Sequence, residues 1–304
     1  MTAQQLNNFT SKPDHPNTTA WSQGLGLAVF LSVSNIFLSI TASLGNILIL
    51  IALRKVTSLH PPTKLLFRCL AVTDLCVGLV IHPLHATFII LRMTLNVDHF
   101  IGGVNSALSV LLCGVSVLTS TAVSVDRLTA LSLGLRYRQA VTLTRIRVFV
   151  LCSWIGGALL GSMHLWTNPD VVWDIASIIT LLCLVTSAFS YTKIHLNLRQ
   201  HQLQVQAHLS QQNRGRVPVD IARYKNTVSS TFWVQMALIA CYAPFCIVSA
   251  ISINEQGHHM AWLVTTTLVY LNSSMNPILY CWKIREVNRA VKDTVRQMCH
   301  VFQE

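Results

Sequence analysis

Asn272, Ser273, Ser274, Asn276 and Pro277 stand inside an apolar run, Ala261 to Trp282, that is otherwise fit for hydrocarbon. Each amide or hydroxyl placed there must find a partner or cost free energy. Asn272 and Asn276 are four apart and share one helix face. Pro277 has no N–H, so the carbonyl of Ser273 loses its usual helical partner and the helix kinks, with Tyr280 within a turn of the kink. Asp74, in Leu70-Ala71-Val72-Thr73-Asp74-Leu75, sets the same problem more sharply. A carboxylate at mid-membrane costs about 2.5–3.5 kcal/mol on insertion scales, so it must face other helices. A third polar group, Ser124-Val125-Asp126-Arg127-Leu128, ends an apolar run, where the plain reading is an arginine that marks a membrane boundary. No ligand cluster has spacing usable by a membrane metal enzyme, so the chemistry on offer is hydrogen bonding, ion binding and a proline hinge.

These groups need long helices to hold them. The 304 residues are 52% hydrophobic and 11% charged, with a mean hydropathy of +0.51, which excludes an ordinary soluble domain. Seven runs are long and poor enough in charge to cross a bilayer: Leu25–Leu53, Thr63–Leu91, Phe100–Leu133, Val148–Trp166, Val171–His195, Asn226–Ile253 and Ala261–Trp282. The first is too long and too far from Met1 for a cleaved signal peptide, so it is expected to stay as a helix. Basic residues accumulate in cytoplasmic loops. With the N-terminus outside, only Lys12 and Arg92 of the 22 Lys and Arg fall outside, together with Asp14, Asp98, Asp170, Asp174 and Glu255. Charge sorted this way fits topology and anionic inner-leaflet lipid, and excludes nucleic acid as the partner despite the basic balance.

With these motifs in place the chain resembles the rhodopsin-like (class A) G-protein-coupled receptors. Asn276-Pro277-Ile278-Leu279-Tyr280 matches the Asn-Pro-x-x-Tyr that ends their seventh helix, and Asp126-Arg127-Leu128 matches Asp-Arg-Tyr in two of three positions. The resemblance implies an all-α membrane protein, a seven-transmembrane helix bundle (25–282) between an extracellular tail (1–24) and a cytoplasmic amphipathic helix and tail (283–304). It also implies roles. Asp126 holds Arg127 at rest, and Arg127 meets the G protein when the sixth span swings out on Pro244. Tyr191 stands where the family's active state brings a tyrosine to Arg127. Asp74, Ser116, Asn272 and Asn276 match the oxygen-bearing positions of the family's sodium pocket, which suits a hard cation, with Asp74 supplying the charge. Sodium is thus the one allosteric ion expected, and no cofactor is.

Departures from the pattern are informative. Tyr242 replaces the usual tryptophan in Cys241-Tyr242-Ala243-Pro244, and span five has Cys183 where the family has a proline. Tyr224 stands near the place of an acid that would lock Arg127, so basal activity is expected. Nine cysteines are present, yet none lies in an outer segment, so no disulfide is expected. That absence, the short loop Thr167–Asp170 and the missing proline together resemble the melanocortin, lysophospholipid, cannabinoid and adenosine receptor branch, although melanocortin receptors usually have Asp where Asn276 stands. His82-Pro83-Leu84-His85 predicts a kink near the outer end of span two, and the small Gly156, Gly157 and Gly161 allow close packing of span four. Residues 200–218 read as a solvated cytoplasmic loop.

The resemblance places a ligand among His85, Phe88, Ser109, Cys113, Tyr242, Phe245, Thr266 and Tyr270. Amine receptors carry an acid in the outer half of span three, where this chain reads Asn105-Ser106-Ala107-Leu108-Ser109-Val110. Monoamines are therefore disfavoured, and the neutral, partly aromatic lining favours a weakly polar or lipid-like small molecule. A cationic peptide held by the outer acids is the alternative. A retinal protein would need a lysine in span seven, where none stands between Ala261 and Cys281, and a small-solute transporter would show inverted repeats, which are not evident. Partners implied are a heterotrimeric G protein, arrestin and a receptor kinase, and the location implied is the plasma membrane, N-terminus outside and C-terminus cytoplasmic. Asn8-Phe9-Thr10 and Asn17-Thr18-Thr19 are glycosylation sequons on the outer side. Lys283 to Cys299 alternates basic and apolar residues, and Cys299 is either a palmitoylation site or a free thiol.

Overall fold

The computed structural model describes residues 18–57, 59–95, 99–211, 219–251, 259–283 and 285–301, and no β-strand occurs among them. The first span is the helix Thr18–Lys55, so the helix begins inside the segment expected as tail. Five stretches are long and apolar enough to cross a membrane: Gly24–Lys55, Pro61–Met93, Phe100–Leu133, Leu143–Met163 and Pro169–Gln200. The sixth span is the helix Val219–Ile251, whose apolar part Gln235–Ile251 is shorter. The seventh, His259–Lys283, is 25 residues long and carries the polar run that holds down its hydropathy. Its ability to live in lipid depends on burying those groups, and Asn272, Ser273, Ser274 and Asn276 are all buried.

The bundle turns its apolar surface both ways. Phe30, Phe37 and Leu44 of the first span and Leu151, Ile155 and Leu159 of the fourth are exposed. On a soluble protein such a surface would aggregate; on a membrane protein it meets lipid tails. Inside, Val77, Ile81, Leu112, Val117, Leu184 and Phe245 form the main core between spans two, three, five and six. The fourth span packs on the third through glycine: a Cβ at Gly161 would come within 2.6 Å of the Ala107 carbonyl oxygen, and one at Gly157 within 3.0 Å of Leu111. Gly156 differs from the expectation, because a Cβ there would meet nothing within 4 Å. Spans four and five hardly touch, both leaning on span three instead.

Span two is interrupted. Helix Pro61–Cys76 passes through a π-turn, Val77–Ile81, into helix His82–Leu95. Pro83 cannot donate to the turn before it, and the wider turn absorbs the lost bond. The carbonyl of Gly78 accepts from Ser39 Oγ at 2.7 Å. Span five runs on as helix to Gln211, so the stretch expected as a loop from residue 200 is helical for its first half. Continued i to i−4 bonding gives a polar extension of Gln and His a helix beyond the membrane. The segment after span three folds into a tight turn, Gly134–Arg136, and a short helix, Tyr137–Ala140, with Gly134 at φ +50°. The last helix, Arg285–Val301, packs Ala290 against Ala52 and Val56 of the first span, and Lys55 Nζ donates to Gln297 Oε1 at 2.6 Å. Asn8, Asn17, Asp14, Asp98 and Glu255, and the side chains of Tyr224 and Cys299, lie outside the described residues.

Candidate functional site

Two hollows that share wall residues lie toward the end of the bundle that carries Arg92. The deeper, about 270 Å³, is lined by Ser109 and Cys113 from span three and Tyr242 and Phe245 from span six. The wider, about 720 Å³, is lined by His85, Phe88 and Arg92 from span two and Asp170 and Asp174 from span five. Thr266, Tyr270 and Trp173 wall both. All eight residues expected around a ligand line one or both of these adjoining hollows. Sequence reasoning missed Trp173 and Trp262, which with the expected Phe245 form an aromatic wall whose ring centroids lie 4.8 Å (Trp173–Trp262), 5.2 Å (Phe245–Trp262) and 5.8 Å (Trp173–Phe245) apart. Tryptophans near span ends read as interfacial anchors, and nothing in their spacing shows that they turn inward.

Polar groups at the junction are arranged around Tyr270. Ser109 Oγ donates to the Asn105 carbonyl at 2.6 Å and lies 2.7 Å from the Tyr270 hydroxyl, which leaves Tyr270 as donor in that pair. His85 stacks edge-on to Tyr270 at 5.0 Å, and its Nδ1 is 3.4 Å from Asn105 Nδ2. His85 Nε2 and Asn105 Oδ1 are buried with no hydrogen-bond partner among the described residues. Unmet polar atoms of this kind are costly in a finished core, and His85 and Asn105 both line the wider hollow. His82 serves structure: its Nδ1 is 2.8 Å from Asn35 Oδ1, while Asn35 Nδ2 donates to Thr267 Oγ1 at 3.3 Å, tying spans one, two and seven.

Halfway along the bundle Asp74 is fully buried. Its Oδ1 accepts from Ser116 Oγ at 2.9 Å and Ser273 Oγ at 2.8 Å, and its Oδ2 from Asn276 Nδ2 at 2.7 Å. Three charge-assisted bonds of this length offset part of the cost of burying the carboxylate. Ser116 and Asn276 stand where the sequence placed them. Asn272 does not bond to Asp74; its Nδ2 is buried without a partner among the described residues, and Ser273 bonds the carboxylate instead. One carboxylate, two hydroxyls and two nearby amides form an oxygen-rich set that fits a hard monovalent cation.

One turn further on, the carbonyl that Pro277 strips of its helical partner is recaptured from the first span. Asn46 Nδ2 donates to Ser273 O at 3.1 Å and, with its other hydrogen, to Ala42 O at 2.8 Å. Gly45 makes this reach possible, since a Cβ there would lie 2.9 Å from both Cβ and Cγ of Pro277. Tyr280 is buried, with its ring edge-on to Phe67 at 5.1 Å.

At the opposite end the expected Asp126–Arg127 ion pair is not formed among the described residues. Asp126 Oδ2 accepts from Thr63 Oγ1 at 2.9 Å and Oδ1 from the Tyr137 hydroxyl at 2.6 Å. Arg127 instead places its guanidinium 5.6 Å from the ring centre of Phe67. Two neutral donors can satisfy the carboxylate without drawing the arginine off an aromatic face, and adjacency in sequence does not aim two side chains of a helix at one another. Burial, followed by the Asp126 hydrogen bond, pushes the Tyr137 phenol up to about 12, so it stays a donor at physiological pH. Tyr191 lines a separate cleft with Gln235 and Met236, between spans five and six, and Pro244 sits inside span six.

A helical bundle with a ligand-sized hollow at one end, a buried carboxylate cluster at its centre and a loosely held arginine at the other end is the layout of a membrane receptor. The family model of the seven-transmembrane receptors of the rhodopsin family matches residues 45–171. Over 312 residues the chain is 25% identical to the histamine H2 receptor of Rattus norvegicus, covering 94% of this chain and 84% of that one. Melanocortin receptor 5 of Rattus norvegicus is 23% identical over 322 residues, 99% and 93% of the two chains. Trace amine-associated receptor 365 of Petromyzon marinus is 24% identical over 264 residues, 78% and 71%. These similarities support a rhodopsin-like (class A) G-protein-coupled receptor. With the apolar helices they support a multi-pass membrane protein, and the relatives are receptors that signal through a G protein rather than enzymes.

Proposed function

We propose that the receptor sits in the plasma membrane with its N-terminus outside, and that the hollows at the Arg92 end take a neutral, weakly polar or lipid-like ligand. The observation that carries this is the lining of the deeper hollow, which holds hydroxyls, thiols and aromatic rings and no carboxylate. An ammonium ion moved there from water would find no countercharge, and an unpaired charge in low dielectric is expensive. Two of the relatives are named for histamine and trace amines, yet Ser109 and Asn105 stand in the stretch where an amine anchor is needed. Asp170 and Asp174 on the wall of the wider hollow favour, as second reading, a cationic peptide held at the rim.

Ligand binding against Tyr270 and Tyr242 shifts the bundle between two states. Spans six and seven have their proline hinges at Pro244 and Pro277, and Arg127 at the far end meets the G protein. Asp74 with Ser116, Ser273, Asn276 and the Asn272 side-chain oxygen would hold a sodium ion, whose countercharge would favour the resting packing. Arrestin and a receptor kinase complete the expected partners. The test is a panel of monoamines, basic peptides and long-chain neutral amides on cells reporting each G-protein family separately. Responses to neutral amphiphiles that Ser109→Ala weakens, and that Arg127→Ala abolishes at equal surface expression, support the reading. Submicromolar activation by monoamines, unchanged in Ser109→Ala, refutes it.

A further inference from the structure

The deeper hollow does not end at the helices that were expected to enclose it. Beyond Ser109 and Cys113 it continues sideways between spans four and five, where Cys152, Ser153 and Gly156 face Ala176, Ile179 and Thr180. These two spans barely meet, and Cys152 and Gly156 are exposed on the flank that also shows Leu151, Ile155 and Leu159 to the bilayer. Two glycines keep the passage clear. A Cβ on Gly114, from span three, and one on Gly156, from span four, would each meet nothing within 4 Å, in contrast to Gly157 and Gly161, which are tight against span three. Helix propensity alone would favour alanine over glycine by about 1 kcal/mol at such positions, and neither Gly114 nor Gly156 returns that cost as close packing. At its inner end the passage meets Tyr270, beside the unpartnered His85 Nε2 and Asn105 Oδ1.

We propose that the gap between spans four and five is a lateral opening through which the chain of a neutral long-chain amphiphile enters from the bilayer, its tail lying past Gly156 and Gly114 and its polar head reaching His85 and Asn105. The proposal rests on the neutral-ligand reading above and adds the route and the orientation. An apolar chain already dissolved in lipid pays no desolvation to enter an apolar gap, whereas its head exchanges headgroup contacts for two buried atoms that otherwise have none. The opening also gives the exposed Gly156 a function that helix packing does not supply.

The experiment uses the full chain in lipid nanodiscs and one probe, an eighteen-carbon fatty amide with a mid-chain diazirine. After irradiation, insertion is mapped by mass spectrometry. The expected result is insertion concentrated in the segments 152–157 and 175–180, displaced by excess unlabelled amide. Blocking acts by filling the space the tail would occupy, since a tail returned to lipid loses no hydrophobic transfer energy. Gly156→Trp and Gly114→Leu, which block the passage from different helices, should each reduce insertion to the level left by excess unlabelled amide. Ala158→Trp, on an exposed position outside the lining, should leave it unchanged. Because either glycine variant can be checked for unchanged thermal stability, a drop in the folded one supports the opening. Insertion that persists in both, or that spreads evenly over the lipid-facing side of spans one and four, overturns it. Basal nucleotide exchange measured on the same preparation reports the receptor reading independently of labelling.

Discussion

Asn46→Leu keeps roughly the volume of the side chain and deletes both its hydrogens, so the Ser273 carbonyl, already deprived of a donor by Pro277, is left buried and bare. Asn46 bonds that carbonyl at 3.1 Å and Ala42 O at 2.8 Å, but Ala42 O remains within the helical ladder and loses only a second bond. A buried unmet carbonyl costs about 1–3 kcal/mol in soluble proteins, while interhelical bonds in membrane bundles average about 0.6 and reach about 1.7 kcal/mol. The expected loss is therefore about 1–1.5 kcal/mol, a fall in Tm of roughly 2–6 °C for a chain of this size. The argument is sharpened by a cycle. Pro277→Ala restores an N–H that can donate to Ser273 O within the helix, so in that background Asn46→Leu should cost less than about 0.5 kcal/mol. All four proteins are purified into nanodiscs and melted by intrinsic fluorescence. Equal Tm losses for Asn46→Leu with and without Pro277 would refute the claim that Asn46 exists to cap the proline-freed carbonyl.

Asp74→Asn removes the only formal charge of the central cluster, so basal nucleotide exchange that falls in wild type when sodium replaces N-methylglucamine should become indifferent to sodium; equal titration curves for the two proteins would count against the pocket. Tyr137→Phe deletes the 2.6 Å bond to Asp126 Oδ1 and frees the carboxylate for Arg127, which should lower basal exchange by about fivefold, the equivalent of about 1 kcal/mol; unchanged or raised exchange would show that Tyr137 does not compete with Arg127. The eight described cysteines carry free thiols, so dithiothreitol applied outside should leave ligand binding unchanged, and a loss of binding would reveal a bridge.

Where the sequence alone is a good guide, one residue's chemistry leaves one solution. A carboxylate at position 74 of an apolar run must face the bundle, and it does, meeting Ser116 and Asn276. Pro277 must free a carbonyl, and that carbonyl is found paired. The residues expected around a ligand do line the hollows, because polar and aromatic residues in apolar spans have few places to go. Choices set by a neighbour's position were not legible. Asp126 and Arg127 are adjacent in the chain, yet the carboxylate is taken by Thr63 and Tyr137, the second of which lies on a short helix that composition does not announce. Likewise Gly156 and Gly157 are indistinguishable as letters; only the rotation of span four puts one against Leu111 and the other into the gap.

The exchange of Asn272 for Ser273 at Asp74 has the same origin and links the cluster to the first span. A helix places residues 272 and 276 about 40° apart and 273 about 60° beyond 276, so periodicity admits either pair, 272 with 276 or 273 with 276, as partners of one carboxylate. What selects the second pair is the rotation of span seven about its axis. Pro277 rests on Gly45, where not even a methyl group fits, and Asn46 draws the Ser273 carbonyl toward span one. Together they hold the Ser273 hydroxyl 2.8 Å from Asp74 and leave the Asn272 amide unsatisfied beside it. An unmet amide next to a satisfied carboxylate is a built-in preference for a second arrangement. Rotating span seven by part of a turn would exchange one donor for the other, and releasing the Gly45–Pro277 contact is the step that permits it. The packing of the first span against Pro277 thus restrains any rotation of span seven between Tyr270 and Tyr280.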